Sequence, residues 1–133
     1  MYKFKKKINF FDCDPAGILF YAGIFKICHA AYEDLINSFN LKTDYWNNEN
    51  FVIPIIHTEA EFLLPLKPGD NVAVEVSVSQ LKDSSFELYY VCRNDDDKVT
   101  NEVKTVHIFV DKEKWKKMPI DPEVKRNLAV HQQ

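Results

Sequence analysis

Several common ingredients are scarce in this chain of 133 residues. Its three cysteines, Cys13, Cys28 and Cys92, are odd in number and far apart, which fits free thiols in a reducing compartment better than a disulfide framework. Its three glycines form no Gly-rich run of the kind that cradles phosphates. No stretch approaches the roughly 18 uncharged apolar residues that a membrane span needs. Positive charge is not in excess: the formal net charge is −3, which leaves no footprint for nucleic acid, and Asp95-Asp96-Asp97 is too short to be an interaction tail. The basic start, Lys3, Lys5, Lys6 and Lys7, precedes an apolar run broken by Asn9 and Asp12 and too short for a signal peptide. The four histidines show no metal-ligand spacing with the cysteines, so no metal is expected. Internal repeats, low-complexity tracts and interdomain linkers are also missing. The reading is one soluble cytoplasmic domain over residues 1–133, with no nucleic-acid or membrane partner.

What is present centres on Phe10-Phe11-Asp12-Cys13-Asp14-Pro15-Ala16-Gly17-Ile18-Leu19-Phe20-Tyr21. Two carboxylates two residues apart sit where an aromatic, strand-like run ends, and a Pro-Ala-Gly turn leads into a long apolar segment. Pro15 fixes its own φ and biases Asp14 away from the α region, and Gly17 can take angles that other residues avoid. The first N–H groups of a following helix have no intrahelical acceptor and can stabilise negative charge. A carboxylate beside free amides suits acyl transfer. Asp, Pro and Gly before a helix are also ordinary turn and capping residues.

Tyr2 to Phe11 reads as a first strand that ends at Asp12, and Ile18 to about Phe39 as one helix with Lys26, His29, Glu33 and Asn37 on one stripe. A helix so apolar around most of its circumference should be wrapped by other structure. The Asn-rich stretch 40–50 reads as a loop, with Tyr45 and Trp46 anchoring it to the core. Phe51 to Leu64 is a strand with Pro54 near its beginning, and Pro65-Leu66-Lys67-Pro68-Gly69-Asp70 a turn. Val72, Val74, Val76 and Val78 alternate with small or polar residues in a half-buried strand. Turns at 82–85 and 94–98 separate two further strands, Phe86 to Arg93 and Val99 to Val110. Asp121-Pro122 opens a terminal helix to about Ala129, and the last residues, His131 to Gln133, read as frayed. Strand, long helix, then antiparallel strands make an α+β domain with one sheet against one helix.

The string Asp12-Cys13-Asp14-Pro15-Ala16-Gly17 followed by Ile18-Leu19-Phe20-Tyr21 resembles the signature of hotdog-fold acyl-CoA thioesterases of the 4-hydroxybenzoyl-CoA thioesterase family. In order along nearly the whole chain, Ile27-Cys28-His29-Ala30-Ala31-Tyr32-Glu33, Ile53-Pro54-Ile55-Ile56-His57, and Phe62-Leu63-Leu64-Pro65 to Gly69-Asp70 are similar in particular to the 1,4-dihydroxy-2-naphthoyl-CoA thioesterases of menaquinone and phylloquinone biosynthesis. The resemblance implies a hotdog fold, an antiparallel sheet wrapped around one long central helix. It also implies a homodimer or homotetramer with the site at a subunit interface. The implied activity is hydrolysis of an aromatic acyl-CoA to free acid and CoA, with no resident cofactor because coenzyme A is part of the substrate. Alternatives are a 4-hydroxybenzoyl-CoA or short-chain acyl-CoA thioesterase, a non-hydrolytic acyl-CoA binding module, and a purely structural dimerisation domain.

By the same resemblance Asp14 is the catalytic carboxylate, as nucleophile or general base. The backbone N–H of Tyr21, in the first turn of the helix, polarises the thioester oxygen, and Gly17 gives the thioester room and permits the turn. His57 and Thr58 face the neighbouring subunit's helix, where His57 orients a water or contacts the acyl ring, or is a hydrogen-bonded structural residue. Lys82, Ser84 and Ser85 lie near the pantetheine or nucleotide of CoA, or form an ordinary polar hairpin. Asp12 is read as a turn acid, His29 as a helix-surface or interface residue, and His107 as packed or solvated. Cys13, between the acids, has no adjacent histidine and is set aside as nucleophile.

Overall fold

The computed structural model describes residues 1–133, with the elements β1 (Tyr2–Lys7), α1 (Gly23–Ser38), β2 (Phe51–Val52), β3 (Ile55–Phe62), β4 (Asn71–Leu81), β5 (Ser85–Arg93), β6 (Val99–Ile108), β7 (Val110–Asp111) and α2 (Pro122–Val130). A five-stranded sheet runs β1-β4-β5-β6-β3 and a two-stranded sheet joins β2 to β7, every pairing antiparallel. Strands and two helices make an α+β domain. None of its helices is long and apolar enough to cross a membrane.

The alternation in β4 is realised fully. Val72, Val74, Val76 and Val78 have no exposed surface, and each such burial is worth about 1.5–3 kcal/mol relative to exposure. The helix α1 meets this layer through Ile24, Ile27, Cys28, Ala31, Tyr32, Leu35 and Ile36, a stripe at three- and four-residue spacing. Lys26, His29, Glu33 and Asn37 are exposed, as their shared stripe requires, and His29 Nε2 lies 3.8 Å from Glu33 Oε2. Within one chain α1 is therefore covered on one side rather than wrapped. Asn40, at φ 51°, takes the left-handed conformation that stops the helix.

Boundaries differ from expectation where long-range hydrogen bonds outvote local pattern. The helix starts at Gly23 rather than Ile18, because Leu19 N–H donates to Leu66 O (2.7 Å) and Phe20 N–H to Asp12 O (3.0 Å). The first strand stops at Lys7, and Phe10–Asp12 is a 3-10 turn closed by Asn9 N–H on Asp12 Oδ2 (2.8 Å). Pro54 splits the expected strand 51–64 into β2 and β3, since its nitrogen has no hydrogen to donate. Asp121 caps α2 by accepting from Val124 N–H (3.3 Å). The tail is not frayed: Val78 N–H donates to His131 O, and Gln133 N–H to Val78 O (3.1 Å).

Candidate active site

The Asp14 loop is a closed unit. Cys13 and Leu19 bridge its ends, Asp14 N–H donates to Ile18 O (2.9 Å), and Gly17 N–H donates to Asp14 O (2.9 Å). One side-chain oxygen, Asp14 Oδ1, accepts from Ala16 N–H at 2.9 Å, an Asx turn that holds the carboxylate in place. Gly17 sits at φ 80°, and a Cβ there would meet nothing within 4 Å. The requirement for glycine is thus conformational; within this chain it is not one of room. Asp12 spends an oxygen on the 3-10 turn, which gives it the structural role expected of it.

Asp14 is half-buried and lines a cavity of about 590 Å³. Its walls carry Phe11, Leu19, Phe20 and Ile27, and α1 contributes Gly23, Lys26, Ile27 and Ala30 at helical spacing. Lys26 is in no ion pair. A half-buried carboxylate in an apolar-walled cavity can take a proton from a water or attack an electrophilic carbon. The neighbouring thiol is poorly suited to either: burial, followed by the charges of Asp12, Asp14 and Asp70, pushes the Cys13 thiol up, and its Sγ–H points to Asn9 O at 3.6 Å.

Tyr21 precedes α1 by two residues instead of lying inside its first turn. Its backbone N–H donates to no acceptor within the chain, while its carbonyl accepts from Ile24 N–H (3.4 Å). Gly17 and Tyr21 share the loop with Asp14 but are not on the cavity wall. His57 and Thr58 are exposed on β3, an edge strand of the five-stranded sheet, with Thr58 Oγ1 donating to Lys104 O (3.1 Å). Lys82, Ser84 and Ser85 form the β4–β5 turn, sewn to the chain before α2 by Phe109 N–H on Ser84 O (2.8 Å) and Ile120 N–H on Asp83 O (2.8 Å). Neither group reaches the Asp14 cavity within one chain.

Two features escaped the sequence reading. Leu19 also borders a second depression of about 360 Å³, lined by Ile18, Phe62, Leu63, Leu64, Pro65, Leu66 and Asn101. Asn101 is 2% exposed and its Oδ1 has no hydrogen-bond partner. The other is a buried polar chain behind the sheet: Tyr90 OH to Thr105 Oγ1 (2.9 Å) and Thr105 Oγ1 to His107 Nε2 (2.7 Å). Period-two placement on β6 puts Asn101, Val103, Thr105 and His107 on the inner face, a signal available in the sequence once strand register is known.

Against known proteins, the model of the Thioesterase-like superfamily matches residues 8–128. A 1,4-dihydroxy-2-naphthoyl-CoA hydrolase of Crocosphaera subtropica is 32% identical over 80% of this chain and 80% of its own length. Another of that name, from Trichodesmium erythraeum, is 28% identical over 97% and 96%. Among solved structures, a 1,4-dihydroxy-2-naphthoyl-CoA thioesterase from Synechocystis superposes with a TM-score of 0.90 at 21% identity, covering 96% of this chain and 95% of that one. A gentisyl-coenzyme A thioesterase superposes with a TM-score of 0.84 at 23% identity, covering 96% and 99%.

Proposed function

The chain belongs to the thioesterase-like superfamily, and on that premise we propose that it is an acyl-CoA thioesterase that hydrolyses an aromatic acyl-CoA, 1,4-dihydroxy-2-naphthoyl-CoA first, to the free acid and coenzyme A. The carrying observation is the Asp14 carboxylate, pinned by Ala16 N–H in a loop closed at Cys13 and Leu19 and set in a cavity wall.

In the general-base course, Asp14 takes a proton from water as the water oxygen bonds to the thioester carbon. The carbonyl oxygen becomes an anion that the unpaired Tyr21 N–H stabilises, and the C–S bond then breaks to release CoA thiolate, which recovers a proton. In the nucleophilic course, the free Asp14 oxygen bonds to the thioester carbon, the C–S bond breaks to release CoA thiolate, which recovers a proton, and water hydrolyses the resulting mixed anhydride to the free acid and the Asp14 carboxylate. Neither course needs a resident cofactor. His57 and Thr58 on β3 then serve a neighbouring subunit's site by orienting water or contacting the acyl ring, and Lys82, Ser84 and Ser85 hold CoA.

A homodimer or homotetramer with the site at the interface is part of this reading, as is a cytoplasmic location. It is supported by the unpaired outer edge of β3 and by Phe10, Phe11, Phe20, Tyr21, Ile55 and Ile56 standing exposed.

The test is thiol release from a panel of aromatic and aliphatic acyl-CoAs, with Asp14→Asn run beside the parent. Selective turnover of aromatic substrates, lowered roughly 10²–10⁴-fold in the variant, supports the class and the residue. Parent-like hydrolysis by Asp14→Asn sinks the assignment, and acyl-CoA binding with no release replaces the enzyme by a binding module. Label found in Asp14 after a single turnover in ¹⁸O-water establishes the nucleophilic course, since general-base attack places it only in the product acid.

A further inference from the structure

We propose that the groove between Ile18-Leu19 and Phe62 to Leu66 seats the aromatic acyl group, and that the Asn101 side-chain amide selects acyl groups bearing a ring hydroxyl. The inference rests on the acyl-CoA reading above and names a specificity residue for it.

Three observations converge on this groove. Leu19 lines both the groove and the Asp14 cavity, so an acyl group whose carbonyl lies at Asp14 can extend past Leu19 into the groove. The remaining wall is built from Ile18, Phe62, Leu63, Leu64, Pro65 and Leu66, which suits a flat apolar ring and offers nothing to phosphate. The third is Asn101 itself. A buried amide oxygen without a donor is costly; on the same inner face Tyr90 OH, Thr105 Oγ1 and His107 Nε2 are linked to one another, and the Nδ1 of His107 is the one other buried side-chain nitrogen or oxygen left without a partner. Asn101 borders an apolar groove and its Oδ1 is covered in the empty chain, so a ligand seated there that brings an O–H on an otherwise apolar frame supplies the missing donor once the amide turns to it. Neighbouring backbone is already committed, since Leu63 N–H (2.8 Å) and Leu64 N–H (3.2 Å) both donate to Thr100 O, so the groove wall is held while the side chain beside it is left free.

The placement predicts an unusual pair of effects for Asn101→Leu, a nearly isosteric change. Removing an unsatisfied buried amide should leave the protein at least as resistant to urea as the parent. It should also cost discrimination: kcat/KM for 1,4-dihydroxy-2-naphthoyl-CoA falls roughly 10- to 100-fold, while that for 2-naphthoyl-CoA, which lacks the hydroxyls, changes by less than about threefold. A loss equal for both thioesters, or an unchanged ratio between them, overturns the proposal; equal loss with lowered stability marks Asn101 as structural. Should Asn101→Leu not fold, the same ratio is read in Asn101→Ala. A binding arm separates this inference from the thioesterase reading. If the parent releases thiol from neither thioester, that reading falls, and calorimetry with free 1,4-dihydroxy-2-naphthoate and 2-naphthoate decides the inference alone. Preference for the dihydroxy acid that disappears in Asn101→Leu supports it, and equal affinity of the parent for both acids overturns it.

Discussion

Acid should destabilise this protein through His107, by an amount that can be worked out from its surroundings. The ring has no exposed surface, stacks on Phe86 with centroids 4.7 Å apart, lies 4.3 Å from Tyr32, and leaves Nδ1 buried with no partner. Burial, with a smaller contribution from His29, lowers its pKa from 6.5 to about 3. Above pH 6.5 neither folded nor unfolded chain holds the proton and the group is neutral to stability. As pH falls below 6.5 the unfolded chain takes it up and the folded chain does not, so stability is lost progressively until the folded pKa is reached. From about pH 7 to about pH 5 the loss is about 2 kcal/mol, close to the limiting slope of about 1.4 kcal/mol per pH unit over the part of the range below 6.5. The assay is urea unfolding of the parent and His107→Gln at both pH values and one protein concentration, since association also shifts stability. The variant has no imidazole to titrate, so the parent's lead should shrink by about 2 kcal/mol on acidification while all other titrations cancel between them. Parallel pH dependence in the two proteins would refute a neutral, dry His107.

Other consequences can be measured directly. Tyr45→Phe strands the Tyr32 hydroxyl, its buried partner, and should cost about 1–3 kcal/mol in urea unfolding, with Tyr32→Phe/Tyr45→Phe together costing less than the sum of the singles. Gly17→Ala forces a side chain onto φ 80° without a clash, so about 1 kcal/mol of stability should go together with a larger fractional loss of turnover; unchanged turnover would separate the loop's geometry from Asp14. Gly23→Ala brings a Cβ to 2.9 Å of Leu19 Cδ1, the yielding end of a side chain, so stability should stay within about 0.5 kcal/mol while turnover of aromatic thioesters shifts with the displaced Leu19. Cys13→Ala should keep substantial turnover in the thiol-release assay, because burial pushes the thiol's pKa up and its Sγ–H is turned to Asn9 O; near-total loss would make it the nucleophile. Ile56→Lys, on the edge strand β3, should lower the mass seen by light scattering if β3 is buried between subunits.

Legibility in the sequence follows the range of the forces involved. The β4 valines and the α1 stripe were readable because side-chain period is a local consequence of backbone geometry. The apolar residues of 18–22 mimic helical spacing, whereas Leu19 N–H is held by Leu66 O, 47 residues away, and Phe20 N–H by Asp12 O across the loop, pairings that side-chain period does not signal. Asp14 stood out because Pro15 and Gly17 constrain the chain in place, so its turn is local too. Asn101 could not stand out: an Asn within Thr-Asn-Glu-Val reads as a solvated strand residue until register assigns it inward and leaves its oxygen alone.

The same contrast bears on how the site is completed. The hydrogen bonds that position the Asp14 loop come from residues 9–20 and from Leu66, whereas His57, Thr58 and the Lys82 to Ser85 turn stand elsewhere in the fold and do not line the Asp14 cavity in one chain. If these residues act together, a second copy must bring them there, and turnover per chain should then fall on dilution through the dissociation range while the folded Asp14 loop persists. Sedimentation and thiol release followed over the same concentration series decide it: activity per chain that stays constant through dissociation would make the single-chain cavity sufficient and remove His57 and Thr58 from the reaction.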